Sequence, residues 1–151
     1  MDGKVSVLLE EHPPSTDVAI VRKGLRDFNI SRAGNDNHRK LTIFLRDSDN
    51  QVVGGLLGGT YWGYLYIEAL WITDKYRHQG YGHCLLSMAE EEAVKRKCRY
   101  AHLDTHDFQE VAFYQKHGYV IVGKLENLPP GFSKYLMKKG LLHETEAPPG
   151  R

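Results

Sequence analysis

The pattern of the chain predicts an α+β fold, a mixed, mostly antiparallel central sheet flanked by helices. Three observations carry that prediction. Runs rich in β-branched and aromatic residues stand before and after two central helical segments. Two of those runs, 39–47 and 51–62, are joined by the turn residues DSDN, which is a hairpin pattern. The length of 151 residues, with 41% hydrophobic and 26% charged side chains, is ordinary globular composition with enough chain for one domain and a real core. That domain is expected to span 1–142, with residues 143–151, which end in APPGR, as a disordered tail.

In chain order, KVSVLLEE (4–11) alternates like a short strand and is stopped by Pro13 and Pro14. A helix follows, with Ser15 or Thr16 as its cap and Gly34 as its stop. Its apolar residues Val18, Val21, Leu25, Phe28 and Ile30 follow one face, interrupted by Gly24. The hairpin comes next, and a tight turn at Trp62-Gly63 leads into YLYIEALWIT (64–73). That strand is the most apolar in the chain and is therefore expected at the centre of the sheet. The helix that follows RHQGYG carries Leu85, Leu86, Ala89 and Ala93 as a stripe, with Lys95, Arg96 and Lys97 in its last turns where the dipole favours them. The strand RYAHLDTH (99–106), the short helix FQEVAFYQKHG (108–118), and the strands YVIVGKLE and FSKYLMKK complete the order.

Composition excludes several roles. A net charge of +1 gives no argument for nucleic acid or an anionic membrane. The opening MDGKVSVLLEEHPP lacks an apolar run of signal-peptide length, and no segment approaches transmembrane length, so a cytoplasmic location is expected. Cys84 and Cys98 fall in one predicted helix, ~21 Å apart at 1.5 Å per residue, too far to pair there. His102 and His106 lie four apart on a predicted strand without a cysteine pair, which argues against a zinc site, and no metal is expected.

The loop RHQGYG before the helix has the ingredients of a phosphate cradle: glycines that let backbone approach a ligand, and a helix start with unpaired N–H groups. It is not a P-loop, since no Lys-Ser/Thr pair follows the glycines. It is not a dinucleotide fingerprint either, because Leu85 stands where the third glycine belongs. A plain strand-to-helix turn is the bland alternative.

The pattern Arg77-x-x-Gly80-x-Gly82 after LWIT and DKY resembles the acetyl-CoA signature of the GNAT N-acetyltransferase superfamily. FYQKHGY (113–119) resembles that family's second segment at the expected distance, and the element order is similar across residues 4–139. The resemblance implies the GNAT-like acyl-CoA N-acyltransferase fold, acetyl-CoA as co-substrate, and transfer of its acetyl group to an amine in a ternary complex. It implies that Arg77, His78, Gln79, Gly80, Tyr81, Gly82 and His83 surround the pyrophosphate. Leu70, Trp71 and Ile72 would bond the pantetheine arm as if it were a strand, with the Leu70 N–H facing the thioester carbonyl. Three residues depart from the family pattern. His78 replaces a common glycine and must point outward, Asp74 replaces a frequent proline, and Asp107 stands in place of an asparagine near the pantetheine, where an ionised carboxylate can accept but not donate.

Aminolysis of a thioester needs a deprotonated amine and benefits from a proton on the leaving sulfur. The resemblance makes Tyr114 the acid toward sulfur; the alternative is a core aromatic with a satisfied hydroxyl. Glu68, the sole carboxylate within the central apolar strand, is the candidate base, since burial there would raise its pKa. A structural carboxylate, or proton removal by water, competes with it, and a bulge near the thioester would turn Glu68 away. Tyr61, Trp62, Tyr64 and Tyr66 either pack the sheet or rim the acceptor pocket. The acceptor is a small-molecule or protein amine, a homodimer is left open, and a non-catalytic acyl-CoA sensor on the same scaffold is the rival reading.

Overall fold

The computed structural model describes residues 3–141, and the tail expected from His143 lies outside them. The chain divides after Asp36 into two compact units. The first holds helix α1 (Ser15–Ala33) behind an extended arm. The strand expected at 4–11 does not form. Alternation licenses a strand, but a strand needs a ladder partner, and none of the described strands pairs with this segment, where Val5, Val7 and Leu9 are more than nine-tenths exposed. The helix start also differs from expectation. Pro14 occupies the cap position and neither Ser15 nor Thr16 caps with its side chain; instead the N–H groups of Asp17 and Val18 donate to the Pro14 carbonyl. The stop is as expected, with the Gly34 N–H bonded to the Ile30 carbonyl at 2.9 Å.

The second unit is a six-stranded sheet with two helices. Its elements are β1 (Arg39–Arg46), β2 (Val52–Tyr61), β3 (Tyr64–Ile72), a single tight turn of helix at Asp74–Tyr76, α2 (Tyr81–Lys95), β4 (Tyr100–His106), α3 (Val111–Lys116), β5 (Val120–Glu126) and β6 (Ser133–Gly140). The strands lie in the order β1-β2-β3-β4-β6-β5, so the apolar β3 is interior as expected. Only β3 and β4 run parallel, because α2 carries the chain back over the sheet between them. The turn at Trp62-Gly63 has positive φ at both residues, 43° and 77°, as a type I′ two-residue hairpin requires.

The helix stripe read from sequence is the buried one: Leu85, Leu86, Ala89 and Ala93. It meets Leu41, Leu56, Leu65, Ile67, Ala101, Leu103 and Met137 from one face of the sheet. Arg96, at the end of α2, donates to the carbonyls of Arg39 and Lys40 and to the Thr60 hydroxyl, locking helix to sheet edge. The helix ends at Lys95, so Cys98 lies beyond it rather than inside it; both cysteines are free, Cys98 buried and Cys84 exposed.

Candidate active site

The site begins with a break in the sheet. The parallel ladder of β3 and β4 runs from Tyr64↔Tyr100 to Ile67↔Leu103 and stops. Past that point β3 stays paired to β2 and β4 stays paired to β6, so the two strands open a wedge. A bulge coincides with the break: Gly58 pairs with Ile67 and Leu57 with Ala69, which leaves Glu68 as the extra residue. Before the bulge the core-facing residues of β3 are Leu65 and Ile67; after it they are Leu70 and Ile72. The bulge shifts the phase by one and leaves Glu68 exposed. The burial expected to raise its pKa is therefore absent, because the extra residue belongs to neither face of the ladder.

The chain leaves β3 through the turn at Asp74–Tyr76 and enters α2 through the glycine loop. Gly80 caps α2 with φ 86° and ψ 2°, a left-handed conformation that accounts for glycine there. The first bond of the helix is from the Cys84 N–H to the Gly80 carbonyl, 3.1 Å, so the N–H groups of Tyr81, Gly82 and His83 leave the helix start without intrahelical partners. Gly82 also has a packing role. A Cβ on it would lie 3.3 Å from the Phe113 ring, so this glycine lets α3 pack against the start of α2, and a bulky replacement would disturb that contact. His78 adopts φ 59° and is exposed, its ring outward as the loop geometry demands.

Other residues of the loop are held by the protein itself. The Arg77 Nε donates to the Ile72 carbonyl at 2.8 Å and its guanidinium pairs with Asp74 at 3.0 Å, so it braces the end of β3. The Gln79 amide donates to the Lys75 carbonyl at 2.9 Å. His83 Nδ1 lies 2.8 Å from His117 Nε2, and His117 Nδ1 lies 2.8 Å from the Phe113 carbonyl, which ties the start of α2 to the end of α3. Asp107 accepts from the Ser133 N–H at 2.9 Å while its own N–H donates back to the Ser133 carbonyl, joining the β4–α3 loop to the start of β6. Trp71 is 55% exposed on β3, facing away from the core.

Tyr114, on α3, is 7% exposed and belongs to the core cluster. No hydrogen bond to its hydroxyl exists among the described residues, yet no buried side-chain oxygen there lacks a partner, so the exposed part includes the hydroxyl. Burial, and then Glu110, push its pKa up to about 12. It therefore stays protonated across neutral pH.

Two groupings were not read from sequence. Tyr119 donates from its hydroxyl to Glu90 on α2 at 3.0 Å, and Lys139 on β6 donates to both oxygens of the same carboxylate at 3.0 and 2.9 Å. Burial and the Glu90 charge drive the Tyr119 pKa far upward. On the opposite face of the sheet, the Tyr61 hydroxyl lies 2.9 Å from His102 Nε2, and the His102 ring stacks on Tyr66 at 4.9 Å. The strand signal for the second grouping was available: Tyr100, His102, Asp104 and His106 alternate with the buried Ala101, Leu103 and Thr105. Tyr61, Trp62 and Tyr64 sit at the hairpin end of β3, away from the wedge, so they do not rim it directly. Among the described residues no three His, Cys, Asp or Glu side chains gather to hold a metal, and no helix is long and apolar enough to cross a membrane.

The profile of the Acetyltransferase (GNAT) family matches residues 8–119. The chain is 38% identical over 125 residues to Acetyltransferase Atu2258 of Agrobacterium fabrum, covering 80% of this chain and 91% of that one. It is 34% identical over 92 residues to Blasticidin-S acetyltransferase of Streptomyces morookaense, covering 60% of this chain and 68% of that one. A crystal structure from Agrobacterium tumefaciens superposes with a TM-score of 0.85 at 34% identity, covering 90% and 99% of the two chains. An aminoglycoside 6'-N-acetyltransferase complexed with coenzyme A shares the fold at a TM-score of 0.60 and 20% identity, covering 71% of this chain and 76% of that one. The chain belongs to the GNAT family of acetyltransferases.

Proposed function

We propose that this protein transfers the acetyl group of acetyl-CoA to the amine of a small molecule by direct attack in a ternary complex. The observation that carries the reading is the wedge, where β3 keeps a backbone edge free of β4 from Glu68 onward. Leu70, Trp71 and Ile72 offer that edge to the amide-bearing pantetheine arm as a strand would, although the Ile72 carbonyl already accepts from Arg77. The N–H groups of Tyr81, Gly82 and His83 at the start of a 15-residue helix suit the pyrophosphate, with Gly80 giving room beside them. Arg77 and Gln79 hold the loop in shape, His78 flanks it from outside, and Asp107 acts through the β4–α3 loop it anchors.

Within this unit α2 and α3 cover one face of the sheet, so the cofactor enters from that side and the amine from the other, and the two meet at the wedge. Tyr114, with its hydroxyl at the surface of the covered face, donates toward the departing sulfur. An ordinary thiol titrates near ~8.5. A donor at about 12 transfers its proton uphill to such a group, so Tyr114 helps chiefly by a hydrogen bond to sulfur as charge builds there. Glu68, exposed on the bulge at the mouth of the wedge, attracts the protonated amine by its charge. The small-molecule class is supported by the relative whose name specifies blasticidin S.

The test is acetyl-CoA consumption by the purified chain with a panel of blasticidin S, an aminoglycoside, spermidine and a lysine peptide. Thiol release that depends on an amine, fastest with a small molecule, is the expected result. Tight acetyl-CoA binding without amine-dependent release would leave the sensor reading in its place.

A further inference from the structure

We infer that His102, held by Tyr61 and stacked on Tyr66, is the group that receives the proton from the acceptor amine. The inference rests on the acetyl-transfer reading and names the base for it. It starts from position. Tyr66↔His102 is the last pair but one of the parallel ladder, and on β4 the next residue on the same face, Asp104, is already past the parting of the strands. Two residues of strand span roughly 7 Å, so the backbone of His102 stands about that far from Asp104 at the wedge mouth, a gap that a side chain and one water can bridge. It also lies on the face away from α2 and α3, the face from which the amine approaches.

The ring is fixed rather than free. It stacks on Tyr66 at 4.9 Å, meets the edge of Tyr64 at 5.6 Å, and shares a 2.9 Å hydrogen bond with a tyrosine two strands away. That bond engages Nε2. No partner for Nδ1 exists among the described residues, and since no buried side-chain nitrogen there is unsatisfied, Nδ1 meets solvent. The role requires the tautomer in which Nε2–H donates to the Tyr61 oxygen: Nδ1 then carries the lone pair, and the same bond holds the ring after protonation. Burial, opposed by Asp104, lowers the His102 pKa, so the imidazole is neutral at pH 7. The neighbours from each adjoining strand fit this role. From β2 comes Tyr61, whose own pKa burial raises, and from β3 come Tyr64 and Tyr66. From β6 comes Lys138, register partner of His102, with its ammonium over the Tyr100 ring at 4.1 Å; Lys134 pairs with Asp104 at 3.4 Å.

The step balances. The ammonium gives one proton to Nδ1 and becomes the free amine, which forms the C–N bond to the thioester carbon. The C–S bond breaks, the second N–H proton leaves the nitrogen and the sulfur ends protonated, and His102 returns its proton to solvent, so one proton is released per acetyl group.

The experiment measures kcat/KM against pH for the wild type, His102→Gln and Tyr61→Phe, with whichever panel amine the wild type acetylates fastest. His102→Gln is expected to lose about 10²-fold at pH 7, with the loss shrinking as pH approaches the pKa of the amine, while the KM for acetyl-CoA stays put. Tyr61→Phe, which keeps the ring packing and removes one hydroxyl, is expected to lose about tenfold over the same range. In parallel, NMR titration of the His102 ring should find it neutral at pH 7. A loss equal at every pH, no loss, or a His102 charged at pH 7 overturns the assignment. A wild type that consumes no acetyl-CoA overturns the acetyl-transfer reading and this with it, whereas an active wild type with an unchanged His102→Gln profile overturns this assignment alone.

Discussion

The two faces of the sheet in the larger unit are built by opposite means. On the covered face, Leu65, Ile67, Ala101, Leu103 and Met137 are sealed by α2 and α3 to 2% exposure or less. On the other face the same strands present Tyr66, His102 and Lys138 half-buried, with Phe44 and Trp71 about half exposed. One face is held by area removed from water and the other by rings and hydrogen bonds. The comparison teaches where chemistry can live: the covered face supplies a rigid support and, in Tyr114, a hydroxyl without a partner among the described residues, and the open face supplies groups that can exchange protons with a ligand.

The sharpest test of the covered face is Tyr114→Phe. The change removes only a hydroxyl that makes no hydrogen bond among the described residues, so the fold should be untouched. Loss of a donor to the leaving sulfur is expected to lower kcat about 10²-fold, with the KM for acetyl-CoA little changed. Because burial holds its pKa near about 12, the tyrosine should impose no alkaline limb on the wild-type profile below pH 10. Steady-state kinetics across pH 6–10 checks both. An unaltered kcat would return Tyr114 to the core.

A smaller effect, on stability alone, is expected at Glu90. Its carboxylate, 15% exposed, accepts from Tyr119 and Lys139 and so joins α2 to the residue before β5 and to β6. Glu90→Ala leaves a hydroxyl on a 2% exposed tyrosine without its partner, at a cost of about 1–3 kcal/mol. Urea unfolding should register that loss while acetyl transfer at saturating substrates is retained. A midpoint equal to wild type would mean the three groups are as well satisfied by water.

The covered face was legible because burial on one side writes a period into the residues. The stripe Leu85, Leu86, Ala89, Ala93 followed from spacing, and the hairpin 39–62 from β-branched and aromatic content on either side of a turn. The resemblance implied a strand-like partner for Leu70 to Ile72, but the place where β3 parts from β4 was not legible, because the end of that ladder depends on which partner each strand keeps. The same limit hid the consequence of the bulge for Glu68, whose exposure is set by the register against Leu57 and Gly58. It also hid Tyr61–His102 and Tyr119–Glu90, pairs 41 and 29 residues apart in sequence. The arm 4–11 failed for the converse reason: the local pattern is right, but a strand is a property of two segments.

The smallest effect expected belongs to the open face and separates its two descriptions, proton-exchanging group or packed ring. Burial lowers the His102 pKa below its ordinary 6.5, with Asp104 pulling the other way. Between the folded value and 6.5 the unfolded chain therefore binds more protons than the folded one. Stability from this group is fully present above pH 6.5 and is lost as pH falls through the folded value. The wild-type urea midpoint should accordingly drop between pH 7.5 and pH 5 by more than that of His102→Gln, whose side chain does not titrate. Asp104→Asn sharpens the test. Removing the one charge that favours the imidazolium should steepen the fall relative to wild type, even though the Lys134 ion pair is lost at every pH alike. Parallel pH dependence in wild type and His102→Gln would mean that His102 titrates no differently folded than unfolded, and the open face would then differ from the closed one in polarity alone.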